Sequence, residues 1–97
     1  MSMDKTFIWL IRGSQRKNFF LKIPEKTFLS NKIRRELNEK DKMKLSLREV
    51  SRHIRDFEKK EIVRCLNPSD PYNRIYELTA KGKKYKKEVL ESKLYLI

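Results

Sequence analysis

The feature that most constrains the fold is the sorting of apolar and basic residues in SLREVSRHIRDFEKK, residues 46–60. Its apolar residues recur at intervals of three, four and three, which is the spacing of one helical face. They are Leu47, Val50, Ile54 and Phe57. Its basic residues recur at intervals of four, three and four, on a face roughly 155° away from the apolar one. They are Arg48, Arg52, Arg55 and Lys59. The stretch therefore predicts an amphipathic helix with a buried apolar face and a basic outer face.

The charge of the chain indicates what such a helix contacts. The sequence has 97 residues, the length of one domain, with 25 Lys and Arg against 13 Asp and Glu, a formal net charge of +12. A polyanion is the expected partner, either nucleic acid or an anionic membrane surface. The longest apolar run, FIWLI, is too short to cross a bilayer, and the first residues do not have the features of a signal peptide. One cysteine fits a reducing compartment, so we expect a cytoplasmic, nucleoid-associated protein that does not contact membranes.

The basic charge is spread along the chain. Residues 1–29 carry +4, residues 30–60 carry +5, residues 61–78 carry −1 and residues 79–97 carry +4. Any surface helix of such a protein would show some basic residues, so the stripe at 46–60 is also compatible with a simply solvated face. The same alternative holds for the lysine-rich KGKKYKKE of residues 81–88, where phosphate contact is the second interpretation.

The residues before this helix predict two shorter helices. The run FIWLI at 7–11 is compatible with a buried strand or with the beginning of a helix. A first helix is expected from Ser14, as N-cap, to a stop at Pro24. A second is capped by Ser30 or Thr27, and the polar NEKDKMK follows as a loop. The apolar face of the second helix comprises Leu29, Ile33 and Leu37.

The residues after this helix predict a hairpin and a closing helix. EIVRCL and RIYELT are β-branched and aromatic runs, and NPSDPYN between them has the composition of a turn. The closing helix starts at Thr79, with Tyr85, Val89 and Leu90 available to pack inward. The fold class is therefore mainly α with a small β-hairpin (α+β), a winged helix-turn-helix. That order places one helix in the major groove of DNA and a β-ribbon beside it.

The residues also carry a family resemblance. LREVSRHIRDFEKKEIVRCLNP, followed by RIYELTAKGK, resembles winged-helix transcriptional regulators of the MarR and ArsR sort, most closely the small archaeal members. The resemblance covers residues 14–88. It implies a recognition helix at about 46–60 in the major groove and a wing at about 62–78 on the adjacent backbone or minor groove. The matching positions are Val50, Ser51 and Arg52 in the recognition helix, and Tyr76, Leu78, Thr79, Gly82 and Lys83 at the close of the wing.

Two positions depart from the family pattern. Glu61 stands where the family usually has Gly at the end of the recognition helix, so either Glu61 adopts a positive φ or the helix ends in another way. The loop NEKDKMK is longer than the tight turn usual between the two helices of the motif, which leaves the angle of the recognition helix open.

The basic residues divide by chemistry into two predicted roles. Arginine can pair with guanine O6 and N7, whereas lysine supplies a mobile charge to phosphate. Arg48 and Arg52, with Ser51 between them, are therefore the candidate base-reading residues. The candidate contacts to the DNA backbone are Lys44, Ser46, Arg55, Lys59 and Arg74. Ser46 also has a simpler interpretation as a helix cap alone.

Other residues offer little chemistry. The single histidine, His53, is expected to pack or to lie near phosphate, and Cys65 is expected to be buried in a strand, with redox sensing as a minor alternative. One histidine and one cysteine cannot form a tetrahedral metal site, and no phosphate-cradling glycine loop is present in the sequence. We expect no metal, no cofactor and no enzymatic activity.

The sequence thus favours a sequence-specific regulator that binds double-stranded DNA. An RNA-binding or ribosome-associated basic protein explains the charge but would more naturally show exposed aromatic stacking residues. A winged-helix protein-interaction module explains the fold but leaves the charge of +12 unexplained. Whether a small-molecule effector exists cannot be read from the residues.

The terminal segments suggest a homodimer. Residues 1–12 and 89–97 of the single domain contain FIWLI and VLESKLYLI, more apolar surface than one small core readily covers. A two-fold dimer through these segments would cover it and would set two recognition helices about 34 Å apart. The alternative is that both termini fold back onto their own domain.

Overall fold

The computed structural model describes residues 4–40 and 42–92. Its elements follow in the order α1 (Lys5–Arg12), α2 (Ser14–Lys22), β1 (Phe28–Leu29), α3 (Ser30–Lys40), α4 (Leu47–Lys59), β2 (Val63–Cys65), β3 (Ile75–Leu78) and α5 (Ala80–Ser92). The described chain is thus mainly helical with a small antiparallel sheet, which confirms the α+β class. Within these residues no helix has the length and apolar character needed to cross a membrane.

The sheet has the strand order β1-β3-β2, so the central strand is the last one in sequence. β2 and β3 form the predicted hairpin, with Cys65 opposite Tyr76. β1 adds two residues on the other edge of β3, with Phe28 opposite Tyr76. The prediction that Leu29 belongs to the apolar face of the second helix is wrong, because Leu29 pairs with Ile75 in the sheet and α3 begins one residue later.

The N-terminal run FIWLI is helical, and it folds back onto the domain. Asp4 caps α1 by accepting a hydrogen bond from the backbone N–H of Phe7 at 2.7 Å. The Phe7 ring lies 5.4 Å from the ring of Tyr85 on α5, and the Tyr85 hydroxyl donates to the Asp4 carboxylate at 2.7 Å. Burial, and then this hydrogen bond, raise the pKa of Tyr85 to about 12. Phe7 and Leu10 are fully buried, so these two residues need no partner subunit to cover them.

The boundaries of α2 differ slightly from the prediction. Ser14 is the first helical residue and not the N-cap, which is Gly13, and no side chain caps this end. The Gly13 carbonyl accepts the first helical hydrogen bond from Lys17 N at 2.7 Å. At the other end the chain turns extended at Ile23, directly before Pro24, as the proline predicts.

Helix α4 has the predicted bounds and cap. Ser46 Oγ accepts from Glu49 N at 3.1 Å while the Glu49 carboxylate accepts from Ser46 N at 3.0 Å, a complete capping box. Val50, Ile54 and Phe57 are buried as expected. Leu47 is 45% exposed, so its predicted inward position is wrong. It lies in the first turn of α4, at the rim of the core and beside a surface groove.

Glu61 ends α4 in the conformation that the family pattern usually assigns to glycine. Its φ is 62°, in the left-handed region. The turn is closed by hydrogen bonds from Glu61 N to Glu58 O at 3.0 Å and from Ile62 N to Phe57 O at 2.8 Å. A left-handed backbone costs roughly 1–2 kcal/mol for a residue with a Cβ. Packing around the fully buried Ile62 offsets this conformational cost at Glu61.

Helix α5 packs tightly against the end of α4. Thr79 Oγ1 donates to the Glu61 carbonyl at 2.6 Å and accepts from Gly82 N at 3.0 Å, so Thr79 joins the α4 turn to the first turn of α5. Tyr85 and Val89 are buried, as predicted. Leu90 is 47% exposed, and the prediction that it packs inward is wrong because it lies on the outer face of α5. Residues 93–97 of the proposed dimerisation segment lie outside the described residues.

Candidate nucleic-acid interface

The outer face of α4 carries the predicted basic stripe. Arg48, Arg52, Arg55 and Lys59 are all exposed, while the opposite face of the helix is buried. Ion pairs join Arg64 to Glu77 and Lys87 to Glu91, and among residues 4–40 and 42–92 no ion pair involves this stripe. Glu49, the acidic residue nearest the start of the stripe, is engaged in the capping box. The stripe therefore offers four charged groups to an external anion.

The remaining predicted site residues lie near the start of α4. Ser51 is half-buried on the flank of α4 between Arg48 and Arg52. Ser46 and Lys44 are exposed immediately before the helix, and Lys44 has a left-handed φ of 55°. Arg74 is exposed and lines the same groove as Ser51. The structure thus brings together Arg48, Ser51 and Arg52 on two turns, with Arg74 approaching from the hairpin, while Lys59 lies at the far end of α4.

The orientation of α4 is fixed by a polar chain that reaches α2. Gln15 donates from Nε2 to the Glu49 carboxylate at 3.1 Å, and its Oε1 lies 3.0 Å from His53 Nε2. The hydrogen bonds from Ser46 and Gln15 lower the pKa of Glu49. Gln15 joins two residues of α4 that are one turn apart and was not singled out from the sequence. A lone glutamine 38 residues away from its partner gives no local signal.

His53 is a packing residue, as one of the sequence interpretations holds. Its side chain is 6% exposed, and its ring stacks on Phe19 with centroids 5.2 Å apart. With the amide oxygen of Gln15 as acceptor, Nε2 carries the proton of the neutral ring. Burial, followed by the positive charge of Arg52, lowers the pKa of His53. The neutral form is therefore the one that the folded protein favours.

This shift predicts acid sensitivity of the fold. Because the pKa of His53 is lower in the folded chain than its ordinary value near 6.5, the unfolded chain takes up the proton first. The free energy of unfolding should fall as the pH drops below about 6.5 and should level off once the folded pKa is passed. In His53→Phe, which keeps an aromatic ring against Phe19, this part of the pH dependence should disappear. Urea unfolding at a series of pH values between neutrality and pH 5 measures it, and an unchanged profile in His53→Phe would contradict the assignment.

The turn between α3 and α4 is long but held firmly. Asn38 donates to the Leu45 carbonyl at 2.8 Å and accepts from Leu45 N at 2.7 Å, so one side chain joins the two ends of the loop. Leu45 is buried, and Lys42 and Lys44 adopt left-handed φ values of 52° and 55° on either side of Met43. The greater length of NEKDKMK therefore does not loosen the start of α4.

The hairpin loop, residues 66–74, is organised by two short polar side chains. Asp70 Oδ1 accepts from Tyr72 N and Asn73 N, both at 2.9 Å, and these hydrogen bonds lower the pKa of Asp70. Asn67 accepts from Ile75 N at 2.7 Å and donates to the Asn73 carbonyl at 2.9 Å. Such side chain to backbone bonds fix the loop in one shape.

A groove separates this loop from the helices. We call it the basic groove. It has a volume of about 470 Å³ and is lined by the start of α3, by Leu47 and Ser51 of α4, and by residues 71–74 of the hairpin loop. Its charged residues are Lys32, Arg35 and Arg74, and none of the described residues that line it is acidic. Leu47, exposed against expectation, forms part of its apolar wall.

The other residues considered from the sequence, Cys65 and the lysines of α5, do not line the basic groove. Cys65 is half-buried against the core, with Sγ 3.6 Å from Asn67 Oδ1, which agrees with a packing role. Across the part of the chain that the structure describes, no group of three His, Cys, Asp or Glu residues is placed to hold a metal ion. Lys83, Lys84 and Lys87 are exposed on α5 and form a second basic surface.

Comparison with known proteins gives no match, since no family model, no curated protein and no solved structure is significantly similar to this chain.

Proposed function

We propose that the protein is a sequence-specific regulator that binds double-stranded DNA, with α4 as its recognition helix. The observation that carries the proposal is the outer face of α4, where four basic side chains are exposed and form no ion pair with another described residue, on a helix whose other face is largely buried. A helix with an exposed basic face of this kind fits the major groove, and arginine side chains on it can reach the edges of guanine.

The arrangement around α4 supports a winged helix-turn-helix. α3 and α4 are joined by a braced turn, and the hairpin β2-β3 follows α4 directly. The third strand, β1, precedes α3 and pairs with β3, so the helix pair starts and ends at the same small sheet. In the proposed complex Arg48, Ser51 and Arg52 read bases, and Lys44, Ser46, Arg55 and Lys59 contact the backbone. The hairpin acts as the wing, with Arg74 on the backbone or in the minor groove.

We also propose that the protein forms a homodimer and associates with the nucleoid. Phe7 and Leu10 of the N-terminal run are buried within the domain, whereas Ile8, Trp9 and Ile11 are only half-buried. Leu90, exposed on α5 directly before the apolar C-terminal residues, is a further reason for dimerisation. A two-fold pair formed through this end would bind a pseudo-palindromic site.

An RNA-binding role is the second candidate, and one observation favours it. Tyr72 is 87% exposed at the tip of the hairpin loop, next to basic residues, which is the kind of aromatic side chain that single-stranded nucleic acid stacks on. α4 itself presents no exposed aromatic residue, so the major contact surface still favours duplex DNA.

A salt titration with three probes distinguishes the two candidates. We expect binding to duplex DNA to be stronger than binding to single-stranded DNA or structured RNA. It should weaken steeply with salt, because a dimer that contacts about 6 to 10 phosphates loses roughly a thousandfold or more in affinity between about 50 and 200 mM. Fluorescence anisotropy at several salt concentrations gives the slope for each probe. The proposal would be contradicted if the association constant for duplex DNA did not change with salt concentration, or if the protein clearly preferred RNA.

A further inference from the structure

The basic groove is lined in part by Lys32, Arg35 and Tyr72, to which the proposed contacts with duplex DNA give no role. Tyr72 is 87% exposed, so its ring adds nothing to the core, yet its backbone N–H is fixed by Asp70 at 2.9 Å. The loop therefore fixes the backbone of Tyr72 and leaves its ring exposed to solvent. An exposed aromatic ring offers a large flat surface on which a flat partner can stack.

The charge of the groove indicates the sign of its ligand. Lys32 and Arg35 of α3 and Arg74 of the hairpin line it, and no acidic residue among the described ones does so. Arg74 is held in place by a hydrogen bond from Nε to the Asp70 carbonyl at 3.1 Å. A guanidinium group has two further NH₂ groups, and these suit a phosphate.

The size and the lining residues of the groove further limit the kinds of ligand that it could bind. Its volume of about 470 Å³ lies within the range of sites that enclose small molecules, roughly 300–1,000 Å³. A DNA duplex is far too large to enter a space of this volume. The groove is lined by apolar surface from Leu29, Leu47 and Tyr72 and by polar groups such as Asn31 and Asn73. One nucleotide combines the same features, with a flat base, hydrogen-bonding edges and a phosphate.

We propose that the basic groove binds one unpaired nucleotide of the DNA strand that adjoins the duplex on α4. The base stacks on Tyr72, and the phosphate contacts Lys32 and Arg35, while Arg74 keeps the contact proposed for the wing. Leu47 and Ser51 of α4 line the groove, and they are the sequence neighbours of Arg48 and Arg52. A strand that leaves the duplex at the recognition helix would therefore run along the opening of the groove. This inference rests on the proposed binding of duplex DNA by α4 and adds a preference for duplexes with a single-stranded extension.

Two probes test it, a short blunt duplex and the same duplex with a short thymidine extension on one strand. We expect the wild-type chain to bind the extended duplex about five- to tenfold more tightly, the lower end of what stacking of one base provides. Tyr72→Ala should lose this preference and bind the blunt duplex as the wild type does, whereas Tyr72→Phe, which keeps the ring, should retain it. Arg35→Ala should reduce the preference, and Lys84→Ala, which removes one exposed charge from α5, should not.

Each other outcome has a separate meaning. Equal affinity of the wild type for both probes, or a preference that persists in Tyr72→Ala, would overturn this inference alone. Failure to bind the blunt duplex would overturn the proposed function instead. A third arm adds thymidine monophosphate, which should compete only weakly. If the free nucleotide bound at micromolar concentration while both duplexes bound equally, the groove would be a small-molecule site and the assignment to a DNA strand would be wrong.

Discussion

Gly82→Ala is expected to destabilise the protein by about 3 kcal/mol, although alanine is the better helix former. A Cβ at this position would lie far inside van der Waals distance of the Ile62 carbonyl oxygen and close to the Leu78 side chain. The carbonyl cannot withdraw easily, because it accepts a hydrogen bond from Thr79 N at 2.9 Å. Either that hydrogen bond breaks or α5 moves away from the end of α4.

Urea unfolding measures this effect, with Lys83→Ala as the matched control on the next, exposed residue of α5. The control should change the free energy of unfolding by less than about 0.5 kcal/mol. Helix propensity alone would make Gly82→Ala more stable by up to about 1 kcal/mol. A variant as stable as the wild type would therefore show that α5 does not approach Ile62 as closely as described.

Arg52→Ala and Arg48→Ala are each expected to cost roughly 1 to 3 kcal/mol of binding free energy on the preferred DNA site and to relax its sequence preference. Both side chains lie on the first two turns of α4, exposed and without an ion pair in the described part of the chain. An arginine there can pair with guanine through two hydrogen bonds, and truncation removes both.

Lys59→Ala is the control, because Lys59 lies on the same stripe at the far end of α4. It should weaken binding to all duplexes alike, since a phosphate contact carries no sequence information. Binding is measured on the preferred site and on a random duplex of equal length. If all three variants lost the same free energy on both duplexes, Arg48 and Arg52 would not be base-reading residues.

Regular elements with a strong period could be predicted from the sequence. The period of α4 identified Val50, Ile54 and Phe57 as buried, and the turn composition of NPSDPYN identified the hairpin between β2 and β3. β1 was missed, because two residues are too short to show a strand period and their pairing depends on β3, almost 50 residues later. Leu47 was misassigned because periodicity identifies a face but not how far the core extends along the helix, and Leu90 because it lies on the outer face of α5, next to the buried Val89.

The basic stripe of the candidate site could be predicted for the same reason, because its residues share one helix. The basic groove could not, since its residues come from α3, α4 and the hairpin loop. The role of Gln15, which connects Glu49 to His53, could not be predicted either, because this contact joins distant parts of the chain through an exposed amide. The conformation of Glu61 was one of two stated alternatives, and only the backbone angle of 62° decides between them.

Amide chemical-shift mapping by NMR, with a duplex containing the preferred site added stepwise, tests most directly whether α4 is the DNA-binding surface. We expect the largest shifts in residues 46–59 and in the hairpin loop, with small shifts on the outer face of α5 around Lys83, Lys84 and Lys87. Largest shifts on that face of α5, with the amides of α4 unchanged, would contradict the assignment of α4 as the recognition helix.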